Sequence, residues 1–197
     1  MRYGPDHKQA TRHRILVASG RGFRRLGYGG IGVDGLAKEA GVTSGAFYGH
    51  FGSKAEAFEA AAIAGLVELH DAIQQLQTTE GDRWLDAFVD FYVTTKRTCE
   101  IGESCALQSL TPEVARADPS TRTAYEAELR RVVDVTAAGL PGESSAARRK
   151  LAWAILSMLS GGVSLARAAQ DPKLGSQIAS ALKAAIATLV GAAADAA

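Results

Sequence analysis

The side chains best equipped to catalyse or to hold a metal are four histidines, His7, His13, His50 and His70, and two cysteines, Cys99 and Cys105. Their spacing argues against both roles. There is no HExxH run or short His/Cys/carboxylate cluster for zinc. There is no GxSxG elbow, and Cys99 and Cys105 lie too far apart for a CxxC redox or zinc pair. The cysteines read as small buried hydrophobes. The rival reading makes Cys105 a reactive thiol, in a small helical enzyme or an electrophile sensor, although Glu100 and Glu103 beside it disfavour a thiolate. No metal and no cofactor is implied.

The residues from Val33 to Lys54 offer a different chemistry, contact with a polyanion. Leu36, Ala37 and Ala40 form the apolar edge of a short helix. Gly41 follows, where a helix ends easily because glycine enters the left-handed conformation without steric cost. Val42 plugs the corner, and Thr43 or Ser44 caps the next helix. Phe47 and Phe51, four apart, pack inward, which leaves Thr43, Ser44, Gly45, Tyr48 and His50 on the outer side. This is the layout of a helix-turn-helix, whose second helix offers its leading residues to base edges in a major groove. Lys54, Lys8 and Arg12 are placed to meet phosphates, and Arg2, in an N-terminal arm, to reach a phosphate or a minor groove. The charge distribution agrees. Residues 1–54 carry nine Lys/Arg against three Asp/Glu (net +6), and the remainder thirteen against eighteen (net −5), which together make the overall +1. A basic head on an acidic body puts the polyanion-binding surface on the head.

The run Gly45-Ala46-Phe47-Tyr48-Gly49-His50-Phe51-Gly52-Ser53-Lys54 resembles the recognition helix and following turn of the tetracycline-repressor (TetR) family. The likeness is strong over about the first quarter of the chain and rests on length and helical character beyond it. Two positions depart from the family pattern: Gly32 stands where a hydroxyl cap is common, and Gly49 where a larger residue is usual. The resemblance implies an all-α homodimeric regulator of transcription that binds a double-stranded DNA operator and releases it on binding a small molecule.

The elements that must position these residues are helical throughout. Proline is scarce, at 5, alanine is abundant, and 47% hydrophobic with 22% charged residues is ordinary for a globular chain. No uninterrupted apolar run approaches the ~20 residues of a membrane span, and the N-terminus is polar rather than a signal peptide. The expectation is a cytoplasmic protein with no membrane partner. About nine helices are predicted, in a DNA-binding domain over residues 1–52 and a ligand-binding and dimerisation domain over residues 53–197. The first helix runs from about Asp6 to Leu26, with Gly20 and Gly22 as close-packing sites, and Gly27-Tyr28-Gly29-Gly30 is a turn. Ser53 and Glu56 fit a capping box at the start of a helix reaching about Gln77. Thr111-Pro112, Asp118-Pro119 and Asp171-Pro172 each read as a capping side chain followed by proline at a helix start.

In the body, Trp84, Phe88, Phe91, Tyr92, Thr95 and Cys99 share one face of a helix at α-helical spacing. Such a row is either plain core or the wall of a cavity. The second reading gives an apolar effector pocket lined by Trp84, Phe88, Phe91, Tyr92, Cys105, Leu107, Tyr125 and Trp153. With no Lys or Arg among them, the pocket suits a neutral, lipophilic or aromatic molecule. The last two helices, from about Ser144 and Pro172, read as a dimer interface through Leu165, Ile178, Leu182, Ile186 and Leu189. The first of them is apolar too far round its circumference to be covered from one side.

Overall fold

The computed structural model describes residues 5–196, so Arg2 lies outside the described residues. Among these residues there are ten α-helical segments and no strand. They are α1 (Pro5–Gly30), α2 (Val33–Glu39), α3 (Ser44–Tyr48), α4 (Lys54–Glu80), α5 (Trp84–Phe91), the single turns α6 (Ala106–Ser109) and α7 (Thr111–Val114), α8 (Pro119–Ala138), α9 (Ser145–Ala168) and α10 (Pro172–Asp195). The chain forms two compact units. One holds the residues up to Gly65 together with Glu100–Tyr125, the other Leu66–Cys99 with Glu126–Ala197. This division does not coincide with a head ending at residue 52. The first twelve residues of α4 belong with the helix-turn-helix, and so does the segment from Glu100 to Tyr125.

In the first unit the helix α1 breaks at Gly27, whose φ of +73° only glycine adopts freely. That is one residue past the predicted end. Ile15, Phe23, Leu36, Phe47, Phe51 and Phe58 are buried together as the unit's core. Of the two glycines expected to be close-packing sites, Gly22 is one: a Cβ there would stand 3.0 Å from both Ile31 Cδ1 and Leu36 Cδ2. Gly20 would meet only ordinary contacts. The returning segment is fastened to α1 by Arg21, whose Nε lies 2.7 Å from the Glu103 carboxylate.

In the second unit Trp84, Phe88 and Tyr92 are buried in a row, their rings 6.4 and 5.6 Å apart. The expected single face does not continue beyond them. The buried arc turns toward Val89 and Val93, leaving Phe91 at the rim and 43% exposed. Residues Tyr92–Lys96 then form a π turn, and its wider winding sets Thr95 and Cys99 back from α-helical register.

α9 and α10 pack along each other. A Cβ on Gly162 would fall 2.4 Å from Leu182 Cδ1, so only glycine admits this approach. Of the three proline-led helix starts, two are capped as expected: the Asp118 carboxylate accepts from Thr121 N at 2.9 Å and the Asp171 carboxylate from Lys173 N at 2.9 Å. Thr111 does not cap α7; its hydroxyl instead faces the Leu107 carbonyl and the Tyr125 hydroxyl. By length and composition alone α9 and α10 could each cross a membrane, with a mean hydropathy of 1.4 over eighteen residues. Core helices of soluble proteins share that property, and α9 places Leu151, Ile155, Leu159 and Val163 in the core.

Candidate nucleic-acid interface

The corner between α2 and α3 is built by backbone chemistry that the sequence spells out. Gly41 has φ +66°, its N–H donates to Lys38 O at 3.1 Å, and Val42 N–H donates to Ala37 O at 2.9 Å. These two bonds are the paired closure of a Schellman motif, with Val42 and Ala37 as its apolar partners. Thr43 is then the cap of α3, its Oγ1 accepting from Ala46 N at 3.1 Å. The Ser44 hydroxyl donates to the Asp34 carboxylate and so ties the start of α3 to the first turn of α2. At the preceding end, Gly32 supplies no side-chain cap to α2. Gly49 closes α3 at φ −70°, a conformation open to any residue.

Phe47 and Phe51 are fully buried, with centroids 5.8 Å apart, and act as the rivets of this corner. Above them the expected contact residues gather on one side. Thr43 and Gly45 are exposed and Tyr48 is 53% exposed. Ser44 and His50 are half-buried. A Cβ on Gly45 would meet only the Thr43 hydroxyl, at 3.9 Å, so the surface there is open to a close approach.

The cations frame this surface. Lys8 and Arg12 are exposed on α1, and the Arg12 guanidinium sits 4.7 Å over the Phe51 ring. Lys54 begins α4, but its ammonium is held 4.4 Å over the Tyr28 ring rather than extended into solvent. The capping box at this helix is shifted by one residue. Ser53 Oγ accepts from Glu56 N at 3.1 Å, while the Glu56 carboxylate accepts from Gly52 N at 2.7 Å instead of from Ser53. Burial, and then the positive charges of Lys8, Arg12 and His7, hold the His50 imidazole below its usual 6.5. Its Nδ1 is buried without a hydrogen-bond partner. This proximity of Lys8, Arg12 and His50 across α1 and the α3 end is what sequence spacing alone does not reveal.

The residues proposed for an effector cavity are divided between the two units. Cys105, Leu107 and Tyr125 are buried in the first unit. There the Tyr125 hydroxyl lies 2.7 Å from Thr111 Oγ1, and burial pushes its pKa up to about 12. Trp84, Phe88 and Tyr92 are buried in the second unit, where Trp84 Nε1 donates to Gly139 O at 3.1 Å. Phe91 and Trp153, at 43% and 40% exposed, face outward from their helices. The interface residues also divide. Ile186 is buried and Leu182 is committed to the Gly162 contact, whereas Leu165 (67% exposed) and Leu189 are outward. Cys105 is buried, and Cys99 is half-buried with its Sγ 3.7 Å from the Arg167 guanidinium. Neither offers an open nucleophile, and the thiol alternative is not favoured.

The exposed, cation-flanked short helix α3 standing on a buried aromatic pair has the layout of a helix-turn-helix. Residues 15–61, within this head, match the family described as bacterial regulatory proteins, tetR family. Two proteins of Pseudomonas putida, the HTH-type transcriptional regulator TtgR and the probable HTH-type transcriptional regulator ArpR, are each 35% identical over 77 residues. That stretch is 39% of this chain and 36% of each relative, so the chain covers little more than a third of the length of the curated relatives it matches. The fold extends further. A TetR-family regulator from Agrobacterium tumefaciens superposes with a TM-score of 0.74 at 17% identity, over 91% of this chain and 98% of its own. The reduced form of E. coli NemR does so with 0.72 at 19%, over 88% and 95%.

Proposed function

We propose that the protein is a ligand-responsive transcriptional repressor. It binds a palindromic double-stranded DNA operator as a homodimer and releases it on binding a small, neutral, apolar or aromatic effector. It acts in the cytoplasm, without an enzymatic step. The observation that carries this reading is the α2–α3 corner, where Thr43, Gly45 and Tyr48 are exposed above buried Phe47 and Phe51 and beside Lys8 and Arg12. Thr43, Ser44, Gly45, Tyr48 and His50 read bases, while Lys8, Arg12 and Lys54 meet phosphates. A second copy covers the outward side of α9 and α10, through Leu165, Leu189 and the half-buried Ile178, and sets the two α3 helices about 34–36 Å apart, one DNA turn.

The test is fluorescence anisotropy with the DNA upstream of the protein's own gene, over a series of salt concentrations. Saturable, salt-dependent binding in which Lys8→Ala flattens the slope by about 0.9, the value of one phosphate, is expected. A wild-type slope near zero, or equal affinity for scrambled DNA, overturns the reading. For assembly, Leu165→Glu gives monomers by light scattering that also lose operator affinity. A wild-type monomer at micromolar concentration removes the dimer from the proposal.

A further inference from the structure

The helix-turn-helix carries an acid on its surface. Asp34 stands in the first turn of α2 and is exposed. Glu39, at the other end of the same helix, is taken up by Arg25. The Asp34 carboxylate has no ion pair among the described residues; it accepts instead from the hydroxyl of Ser44, the first residue of α3. That bond settles what Ser44 can offer. A hydroxyl has one proton and two lone pairs, so with its proton committed to Asp34 the Ser44 oxygen can only accept. The ionised carboxylate likewise only accepts. The two side chains therefore present acceptors alone, and the backbone beside them is open. A Cβ on Gly32 would meet nothing within 4 Å, and one on Gly45 only the Thr43 hydroxyl, at 3.9 Å. A carboxylate on a surface that meets phosphates weakens binding to every duplex alike. That loss is offset only where the base opposite donates a proton. In a major groove the donors are the exocyclic amino groups, cytosine N4 and adenine N6, whereas guanine and thymine present the acceptors O6 and O4.

From these contacts we infer that Asp34 is a specificity-determining residue. With Ser44 it forms an acceptor-only pair that selects cytosine or adenine, and rejects guanine and thymine, at one position of each half-site. The inference rests on the proposed reading of bases by α3 and adds a residue of α2 to it. Asp34 acts both through its own free lone pairs and by fixing the direction of the Ser44 hydroxyl.

The experiment selects binding sites from a random DNA pool with the full-length wild type, Asp34→Ala, Asp34→Asn and Ser44→Ala. Each protein's affinity is then measured for the wild-type consensus and for a scrambled duplex. The wild type should fix the position as cytosine or adenine. Asp34→Ala should lose about tenfold in discrimination there, the ordinary worth of one base pair read correctly, while binding the scrambled duplex more tightly than the wild type does. Asp34→Asn keeps an oxygen for the Ser44 hydroxyl and adds a donor, so the same position should extend to guanine or thymine. Being nearly isosteric, it keeps the test decisive if Asp34→Ala fails to fold. Loss of a merely structural tie would weaken binding to all sequences with the preferred bases unchanged, and that result in the folded Asp34 variants overturns the inference. A consensus unchanged in those variants, or an altered position that the wild type fixes as guanine or thymine, overturns it too and leaves the reading by α3 standing. A wild type that selects no consensus overturns the reading by α3 and this inference together.

Discussion

The corner at Gly41 and the aromatic row at Trp84 both look regular in sequence, yet only the first keeps its spacing in space. At the corner, each residue's position is fixed within a few bonds: two backbone bonds close the turn, Thr43 caps α3, and Phe47 and Phe51 enter one core four residues apart. In the aromatic row, the helical period holds only to Tyr92. After that a π turn resets the phase, and the buried arc follows Val89 and Val93 instead of Phe91. Regular spacing predicts a face only where local hydrogen bonds enforce the period that the spacing assumes.

The sharpest way to break this comparison is to make the same change in both regions. Phe47→Ala empties a fully buried position and should cost about 3–5 kcal/mol by denaturant unfolding, with loss of operator binding. Phe91→Ala, at an exposed position, should stay within about 0.5 kcal/mol. Similar losses at both would mean that Phe91 is covered in solution, and that the row is wider than the monomer shows.

Backbone conformation gives a smaller contrast. Gly41→Ala places a side chain at φ +66° and should destabilise by about 1–2 kcal/mol. Gly49→Ala, at φ −70°, should be close to neutral. Thermal unfolding of the two variants side by side decides this, and equal melting temperatures would remove the Schellman closure as the cause of the corner.

The distance between what was legible and what was not follows from the same physics. Helix ends were readable because caps and prolines are local: Asp118, Ser144 and Asp171 each accept from a backbone N–H two or three residues on. Thr111 shows the limit, since the same Thr-Pro signature serves a buried hydroxyl pair with Tyr125 rather than a cap. The residues proposed to face DNA stand close in sequence because they share one short motif. The cations around them were found by charge, but their partners were not: no pattern in sequence says that Arg12 lies over Phe51, or that Tyr28 holds Lys54. An apolar stripe does not say which neighbour covers it: Leu182 lies against Gly162 of α9, and Ile186 is buried. The attachment of Glu100–Tyr125 to the head depends on contacts distant in sequence, such as Arg21 with Glu103, and spacing carries no signal of it.

Thr43 separates the structural part of the corner from its reading part. Thr43→Val removes the capping oxygen and should cost about 1 kcal/mol of stability. Thr43→Ser keeps that oxygen and drops only the exposed methyl, so stability should hold while the preferred operator sequence shifts. Selection of binding sites from a random DNA pool reads the shift. An unchanged consensus would confine Thr43 to capping.

The smallest expected effect is a proton. His50 is held below 6.5 by burial and by Lys8, Arg12 and His7, so the folded, DNA-free protein favours neutral imidazole. For folding, a depressed value means that this group's contribution is present above the unfolded value and fades as pH falls through the folded one. DNA reverses the field. Phosphates at Lys8 and Arg12 offset the charges that repel the proton, so the His50 value rises in the complex and binding takes up a proton. Operator affinity should therefore increase as pH drops from about 7 toward 5.5, by less than about tenfold, because one pKa unit of coupling corresponds to that factor. The measurement is anisotropy at constant ionic strength on wild type and His50→Gln. A wild-type curve that climbs at low pH while the variant's stays flatter locates the proton at His50. Parallel curves would show that the buried Nδ1 never titrates on binding, and that His50 belongs with Phe47 and Phe51 as part of the frame rather than the contact surface.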